Sequence, residues 1–196
     1  ARELFAEANE TLGFDLAKAC FEGPEAYLTE TRVCQPALYV HGMILFRLLR
    51  ERGLLGEWAS ALGLSLGELT AYAAAGVWDF STGLRIVAER GRLMQEACEA
   101  SEGTMGVLIG GEREAAFALA EEYDIDVANL NCPGQIVLSG DKGRVEAAMA
   151  SARDKGFKMG KVLPVAGAYH SRLMEPARAR FEAFLSKIEF KAPSVR

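Results

Sequence analysis

The chain has 196 residues, of which 50% are hydrophobic and 25% are charged, and its formal net charge at pH 7 is −5. This composition predicts a globular chain with a sizeable core rather than a disordered one. The acidic charge argues against a general nucleic-acid-binding protein. No apolar run approaches the ~18 residues of a membrane span, so a membrane protein is not expected either.

Cysteine usage limits both the site chemistry and the compartment. Cys20, Cys34, Cys98 and Cys132 are widely spaced and form no C-x-x-C pair. We therefore expect no metal site and no disulfide framework. Each thiol is interpreted as a small core residue rather than as a nucleophile. The expected compartment is a reducing one, the cytoplasm.

The N-terminal half of the chain predicts several helices around one short strand. Pro36 lies near the first turn of the longest expected helix, and Gly53 terminates it. The mostly apolar run from Trp58 to Leu62 suits a buried strand. The predicted helices cover residues 2–12, 15–21, 36–52, 66–75 and 81–99, and the predicted strand covers residues 58–62.

Residues 104–165 alternate between strands and helices in the order β-α-β-β-α-β, which is that of a ferredoxin-like unit. Helical character resumes from Ser171 to Lys187, so we interpret this unit as an insertion into a larger domain. The predicted strands cover residues 104–109, 125–130, 135–139 and 158–165, and the predicted helices cover residues 112–123 and 142–155.

The sharpest motif is Gly63-Leu64-Ser65-Leu66-Gly67, which lies between the expected strand and a helix. G-x-S-x-G in this setting is typical of a nucleophile elbow, a turn so tight that small residues flank the serine. The Leu66 N–H, at the start of the helix, could donate to an oxyanion. The alternative is a glycine-rich turn with an incidental serine.

A serine nucleophile needs a base, and the chain contains only two histidines, His41 and His170. His41 lies in an apolar helical stretch and is interpreted as a packed or capping residue. His170 lies in a loop that enters a helix, where side chains can face a cleft. It is therefore the candidate base, and a histidine that merely flanks the helix is the alternative.

Arg90 has two interpretations. Its neighbours Ile86, Val87 and Leu93 look buried, and a guanidinium beside a core can bind a carboxylate through two parallel hydrogen bonds. The simpler alternative is a surface arginine in a salt bridge.

Six blocks occur in one order along nearly the whole chain, at residues 34–38, 63–68, 75–80, 90–95, 129–140 and 168–174. They include Gly63-Leu64-Ser65-Leu66-Gly67-Glu68, Arg90-Gly91-Arg92-Leu93-Met94-Gln95 and Ala168-Tyr169-His170-Ser171-Arg172-Leu173-Met174. Together they resemble the malonyl-CoA:acyl-carrier-protein transacylase family. The resemblance implies an α/β-hydrolase-like large domain, residues 1–103 and 166–196, with the ferredoxin-like unit 104–165 inserted.

The resemblance also implies a reaction. A malonyl group would pass from malonyl-CoA to the phosphopantetheine thiol of acyl carrier protein through an ester on Ser65, in fatty-acid or polyketide synthesis and without a cofactor. His170 would be the base and acid, Arg90 would bind the malonyl carboxylate, and Leu66 N–H would be an oxyanion donor. Tyr169 would exclude the α-methyl branch of methylmalonyl. Gln35, Asn129 and Asn131 match positions near the cleft, for substrate contact or for fixing the backbone.

The sequence departs from the family pattern in three places. Leu64 stands where the family usually has histidine, and we expect altered packing there rather than lost chemistry. The family's Gly-Gln-Gly loop would precede Ala1, and its last strands would follow Arg196, so we expect a large domain truncated at both ends. Two alternatives stay open: an α/β-hydrolase-type esterase, and a catalytically incompetent fragment of the transferase.

An acidic carrier protein is the expected partner, with no nucleic acid and no membrane. Basic residues within a short span could form a docking patch for it, and an ordinary solvated face is the alternative. These residues are Lys155, Lys158, Lys161, Arg172, Arg178 and Arg180.

Overall fold

The computed structural model describes all 196 residues and divides them into two compact units. The first unit contains Ala1–Leu93 and Phe181–Arg196, and the second contains Met94–Arg180. The α-helices are α1 (Arg2–Leu12), α2 (Leu16–Glu22), α3 (Glu25–Leu28), α4 (Thr31–Glu51), α5 (Leu66–Ala74), α6 (Phe80–Glu99), α7 (Arg113–Glu122), α8 (Lys142–Ser151) and α9 (Glu175–Leu185). The strands are β1 (Gly103–Ile109), β2 (Asp126–Cys132), β3 (Gln135–Asp141) and β4 (Met159–Val162), and Arg172–Met174 form a 3₁₀ turn.

The first unit is helical, and its core forms where α1, α2, α4, α5 and α6 present apolar faces. Helix α4 begins five residues before the predicted start and contains Pro36 in its interior. An interior proline costs about 3 kcal/mol. Burial of Val33, Val40 and Met43 on one face offsets that cost, at about 1.5–3 kcal/mol for each side chain. Neither α4 nor any other helix has the length and hydrophobicity that a membrane crossing requires.

The predicted strand at residues 58–62 is wrong. These residues adopt no regular structure, and Leu62, expected to be buried, is 91% exposed. Their backbone pairs with a single residue: Ala61 N–H donates to the Arg196 carbonyl at 2.6 Å, and Arg196 N–H donates to the Ala59 carbonyl at 3.2 Å. An apolar run becomes a strand only where a neighbouring strand satisfies its amides, and one residue does not suffice.

The second unit contains a four-stranded antiparallel sheet in the order β2-β3-β1-β4. Its elements follow the expected order β-α-β-β-α-β. Apolar residues from the sheet and from α7 and α8 form one core, which includes Leu108, Leu138 and Val145. Strand β4 ends three residues before the predicted boundary, because it is a largely exposed edge strand paired only with β1.

All four cysteines are free, but their burial differs. Cys98 is buried, and Cys20 and Cys34 are partly buried. Cys132 is exposed at the end of β2, so its interpretation as a core residue is wrong. Side chains at a hairpin tip have no second layer to pack against.

Candidate active site

Ser65 occupies a strained turn at the start of α5. Its φ of 55° and ψ of −107° lie where non-glycine residues are rare, and such strain clusters at functional sites. Ser65 N–H donates to the Glu68 carboxylate at 3.2 Å, which ties the turn to the first turn of the helix. Sequence reasoning missed this role of Glu68, although the S-x-x-E spacing of a capping box signals it.

The two glycines of the motif have different roles. A Cβ on Gly63 would lie 1.9 Å from the carbonyl carbon of Gly67, so no side chain fits there. A Cβ on Gly67 would meet nothing within 4 Å. The tight turn predicted around the serine therefore depends on its first glycine.

The Leu66 amide is the first helical N–H of α5, where the helix offers no acceptor. The next two amides are used within the turn, since Gly67 N–H donates to Leu64 at 2.9 Å and Glu68 N–H donates to Ser65 at 3.2 Å. The Leu66 amide thus lies one residue after the serine, at the positive end of the helix dipole, and its role as an oxyanion donor stays a prediction. Leu64, which departs from the family pattern, is 69% exposed.

Arg90 lies on α6 and hydrogen-bonds to two side chains of the first unit. Its Nη2 donates to Ser65 Oγ at 2.9 Å, and its Nη1 donates to Gln35 Oε1 at 2.6 Å. Burial lowers the pKa of Arg90, while the Glu68 carboxylate acts in the opposite direction. These contacts exclude the interpretation of Arg90 as a surface arginine in a salt bridge.

A close approach of α4 and α6 places Gln35 beside Arg90. A Cβ on Gly91 would lie 2.8 Å from the Thr31 carbonyl oxygen of α4, so the glycine next to Arg90 permits this approach. Gln35 itself is only 6% exposed on α4. The predicted residues Ser65, Leu66, Arg90 and Gln35 therefore lie together, and three of them are joined by hydrogen bonds.

His170 lies in the second unit, in the loop between β4 and the 3₁₀ turn. Its φ of 58° is again positive. Tyr169, just before it, forms a hydrogen bond with the buried Cys98 thiol, whose pKa is raised chiefly by burial. A Cβ on Gly167 would lie 2.1 Å from Cys98 Sγ, so this loop packs tightly against α6.

Three other residues lie elsewhere in their units. His41 is exposed in the middle of α4, so its interpretation as a packed or capping residue is wrong; the residues buried on α4 lie on another face. Asn131 lies near the tip of the β2–β3 hairpin and donates to Gln135 Oε1 at 3.1 Å. Asn129 lies two residues earlier on the same strand and pairs with Val137.

Most of the basic residues expected to form a docking patch are in ion pairs. Lys155 pairs with Glu122, and Arg172 pairs with Asp124 and Asp126. Pairing lowers the net positive charge that an acidic partner would meet. The other two paired residues are Arg178, with Glu175, and Arg180, with Glu96.

No cluster of three or more His, Cys, Asp or Glu side chains could hold a metal ion.

Comparison with known proteins finds acyltransferases at the level of the family model, of related sequences and of solved structures. Residues 3–196 match the family model described as the acyl transferase domain. The polyketide biosynthesis malonyl CoA-acyl carrier protein transacylase PksC of Bacillus subtilis is 40% identical over 200 residues, which cover 99% of this chain and 67% of PksC. An acyl carrier protein S-malonyltransferase from Vibrio cholerae is 37% identical with a TM-score of 0.93, over 99% of this chain and 64% of that one.

A further solved structure contains a malonyl-transacylase, PlMCAT, in complex with the type II PKS acyl-carrier protein AntF. It is 38% identical with a TM-score of 0.89, over 98% of this chain and 63% of that one. This chain therefore spans about two thirds of the length of these relatives. The α/β class expected from the sequence agrees with these structures.

Proposed function

This chain belongs to the acyl transferase domain family, and we propose that it carries the nucleophile, the base and the carboxylate-binding arginine of a malonyl transferase. The proposed reaction moves a malonyl group from malonyl-CoA to the phosphopantetheine thiol of acyl carrier protein. The activity named for PksC and the carrier complex of PlMCAT support this substrate and partner. A cytoplasmic location stays a prediction from cysteine usage.

We further propose that the helices around Ser65 belong to an α/β-hydrolase-like domain and that the antiparallel sheet, with α7 and α8, forms a ferredoxin-like insertion. The backbone pairing of Arg196 with Ala59 and Ala61, just before the Ser65 turn, supports the first part. The strand order β2-β3-β1-β4 supports the second. In this proposal residues 1–103 and 166–196 form the large domain, and residues 104–165 form the small one.

In the first half-reaction, the Ser65 hydroxyl attacks the thioester carbonyl of malonyl-CoA while His170 takes its proton. The Oγ–C bond forms, and the negative charge on the carbonyl oxygen is stabilised by backbone N–H donors, of which Leu66 is one. Collapse of this intermediate breaks the C–S bond. Coenzyme A leaves as a thiol with the proton that His170 returns.

The second half-reaction repeats these steps with a different nucleophile. His170 takes the proton of the phosphopantetheine thiol, whose sulfur attacks the malonyl ester on Ser65. The C–O bond then breaks, and His170 returns the proton to the serine oxygen. Malonyl-CoA is a substrate, and the mechanism needs no cofactor.

The observation that carries the proposal is the Arg90 guanidinium hydrogen-bonded to Ser65 Oγ and to the nearly buried Gln35. A malonyl group is short, so its carboxylate must bind within a few ångströms of the nucleophile. A partly desolvated guanidinium at this position binds a carboxylate well and leaves a neutral acyl group with an unpaired charge beside it. An esterase acting on neutral esters has no use for it.

Intact mass after incubation with malonyl-CoA tests the proposal. In the whole protein that carries this chain, we expect a gain of one malonyl group, absent from Ser65→Ala. His170→Ala should slow both half-reactions by ~10²–10⁴-fold, the range usual for general acid–base catalysis.

The same measurement separates the alternatives. An esterase would release free malonate instead of passing the acyl group to a carrier thiol, and an incompetent fragment would gain no mass. Labelling of Ser65→Ala to the level of the parent protein would refute Ser65 as the nucleophile.

A further inference from the structure

The His170 loop holds a strained residue between two fixed points. A non-glycine φ of 58° persists only where the surrounding structure enforces it. On the N-terminal side, Ala168 is fully buried, and a Cβ on Gly103 would lie 2.7 Å from its Cβ. Ser171 Oγ donates to the Ala168 carbonyl at 2.6 Å, which closes the turn around Tyr169 and His170.

The C-terminal side is held by one carboxylate. Asp126, the first residue of β2, accepts the backbone N–H of Arg172 at 2.7 Å. The same carboxylate accepts the Arg172 guanidinium, with Nη2 at 2.8 Å and Nε at 3.1 Å from Oδ1. Asp126 therefore binds both the main chain and the side chain of the residue two positions after His170.

A neighbouring carboxylate provides a useful contrast. Asp124 accepts Nη1 of Arg172 at 2.7 Å and also pairs with Arg144, but it accepts no backbone N–H of the His170 loop. The two aspartates thus share Arg172 as a partner, and only Asp126 fixes the loop backbone.

We propose that Asp126 is a positioning residue for His170, acting through its hydrogen bond to the Arg172 amide. The inference rests on the proposed role of His170 as the base. A carboxylate on the first residue of a paired strand is a rigid anchor, because its backbone is held by the pairing of Asp126 with Ser139. Fixing the Arg172 amide fixes the orientation of the peptide that follows Ser171, and with it the path of the chain leaving His170.

The contrast between backbone and side-chain contacts predicts an order of effects on kcat. Asp126→Ala removes both contacts and should lower kcat of malonyl transfer by ~10–10²-fold, the cost of misplacing a catalytic group by about 1 Å. Asp126→Asn retains an oxygen that accepts the amide and should restore most of kcat. The matched control Asp124→Asn weakens only the side-chain pairing of Arg172, leaves the Asp126–amide bond intact and should change kcat less than threefold.

The experiment measures kcat and KM for malonyl-CoA in the whole protein for these three variants. KM for malonyl-CoA should stay unchanged, because Arg90 and Gln35 are untouched. Equal losses in Asp126→Ala and Asp124→Asn, or no rescue by Asp126→Asn, would overturn the proposal. Equal losses would mean that Asp126 acts only through its ion pair with Arg172. Failure of Asp126→Asn to restore kcat would mean that Asp126 only supports the fold.

A second readout does not depend on activity. His170→Gln removes one set of imidazole NMR signals and so assigns the signals of His170 directly. We expect one sharp set of His170 signals in the parent and in Asp126→Asn, and broadened or doubled signals in Asp126→Ala. Unchanged His170 signals in Asp126→Ala would refute positioning. A parent protein with ordered His170 signals but no acylation would instead refute the proposed function.

Discussion

Two regions of the molecule each hold a non-glycine residue at positive φ, but they do so by different means. Ser65, with φ of 55°, is held by a glycine that tolerates no side chain and by hydrogen bonds to a partly buried arginine and to Glu68. His170, with φ of 58°, lies two residues before Arg172, which is held by the exposed Asp124 and the partly buried Asp126.

The difference lies in what each region can tolerate. Contacts in the Ser65 region depend on close packing and on a charge withdrawn from water, so small steric changes there are costly. The anchor after His170 combines one backbone hydrogen bond with exposed ion pairs, which contribute little individually. We therefore expect substitutions around Ser65 to have larger effects than those around the His170 anchor.

The largest effect is expected for Gly63→Ala. The added methyl would lie 1.9 Å from the Gly67 carbonyl carbon, so the turn must open and Ser65 must move. Overpacking of this kind costs ~1–3 kcal/mol of folding free energy or more, and loss of the turn should abolish acyl-enzyme formation. Intact mass after malonyl-CoA treatment and thermal unfolding measure the two consequences.

Gly67→Ala is the matched control, because open space surrounds that position. It should retain acylation and stability, and alanine is favoured over glycine in a helix by up to about 1 kcal/mol. Similar losses in the two variants would mean that the close approach at Gly63 does not hold the turn.

The next effect concerns Arg90 and its support. Arg90→Ala should reduce malonyl transfer by at least ~10²-fold, since two hydrogen bonds to a charged group are worth about 1.5–3 kcal/mol each. Acetyl transfer should be spared or improved, because the desolvated guanidinium no longer faces a methyl group. The measurement is kcat/KM for malonyl-CoA and for acetyl-CoA.

Gln35→Leu keeps the volume near Arg90 but removes the acceptor at 2.6 Å. We expect roughly a tenfold loss of malonyl transfer, the value of one hydrogen bond to a charged group, without a gain in acetyl transfer. An equal loss of both substrates in Arg90→Ala would show that the guanidinium supports the fold rather than selecting the carboxylate.

A smaller effect is expected at Tyr169, where we expect selection between acyl groups to depend on side-chain shape rather than on charge. The hydrogen bond with Cys98 fixes the phenol ring just before His170. Tyr169→Ser should narrow the preference for malonyl over methylmalonyl, a steric selectivity of ~1–3 kcal/mol. Competition between the two thioesters, followed by the mass of the acylated protein, measures it.

Tyr169→Phe keeps the ring and loses only the hydroxyl, so it separates shape from the bond to Cys98. It should retain the preference for malonyl. Equal labelling by both thioesters in the parent protein would exclude Tyr169 as the source of selectivity.

Local sequence patterns predicted a helix, strand or turn well where the residues that define it lie close together in the chain. Apart from the four-residue α3, which was not predicted, the helices and the β-α-β-β-α-β order were found because their periodicity and turn residues are local. The tight turn at Ser65 followed from Gly63. The strand expected at residues 58–62 was wrong, because pairing depends on distant residues such as Arg196. The Arg90–Gln35 and Asp126–Arg172 contacts join residues 55 and 46 positions apart, and no local signal indicates such pairs.

The smallest expected effect is the pH dependence of the contribution that Asp126 makes to the stability of the His170 loop. Burial alone would raise the pKa of Asp126, but hydrogen bonds from the Arg172 side chain and backbone lower it overall. A carboxylate with a depressed pKa in the folded state stabilises that state above the ordinary carboxyl pKa of about 4 and loses this contribution as pH falls through the folded pKa. Asp126→Asn removes the charge and keeps an acceptor. It should therefore lower the free energy of opening of residues 166–174 by at most about 1 kcal/mol at pH 7, as for a surface ion pair.

The difference in opening free energy between Asp126→Asn and the parent should vanish in strong acid. Hydrogen exchange, corrected for the intrinsic rate at each pH, measures it, and peptides containing Gln35 provide the reference because Arg90 keeps its charge throughout. A difference as large at pH 3 as at pH 7 would mean that the Asp126 charge does not contribute to holding this loop.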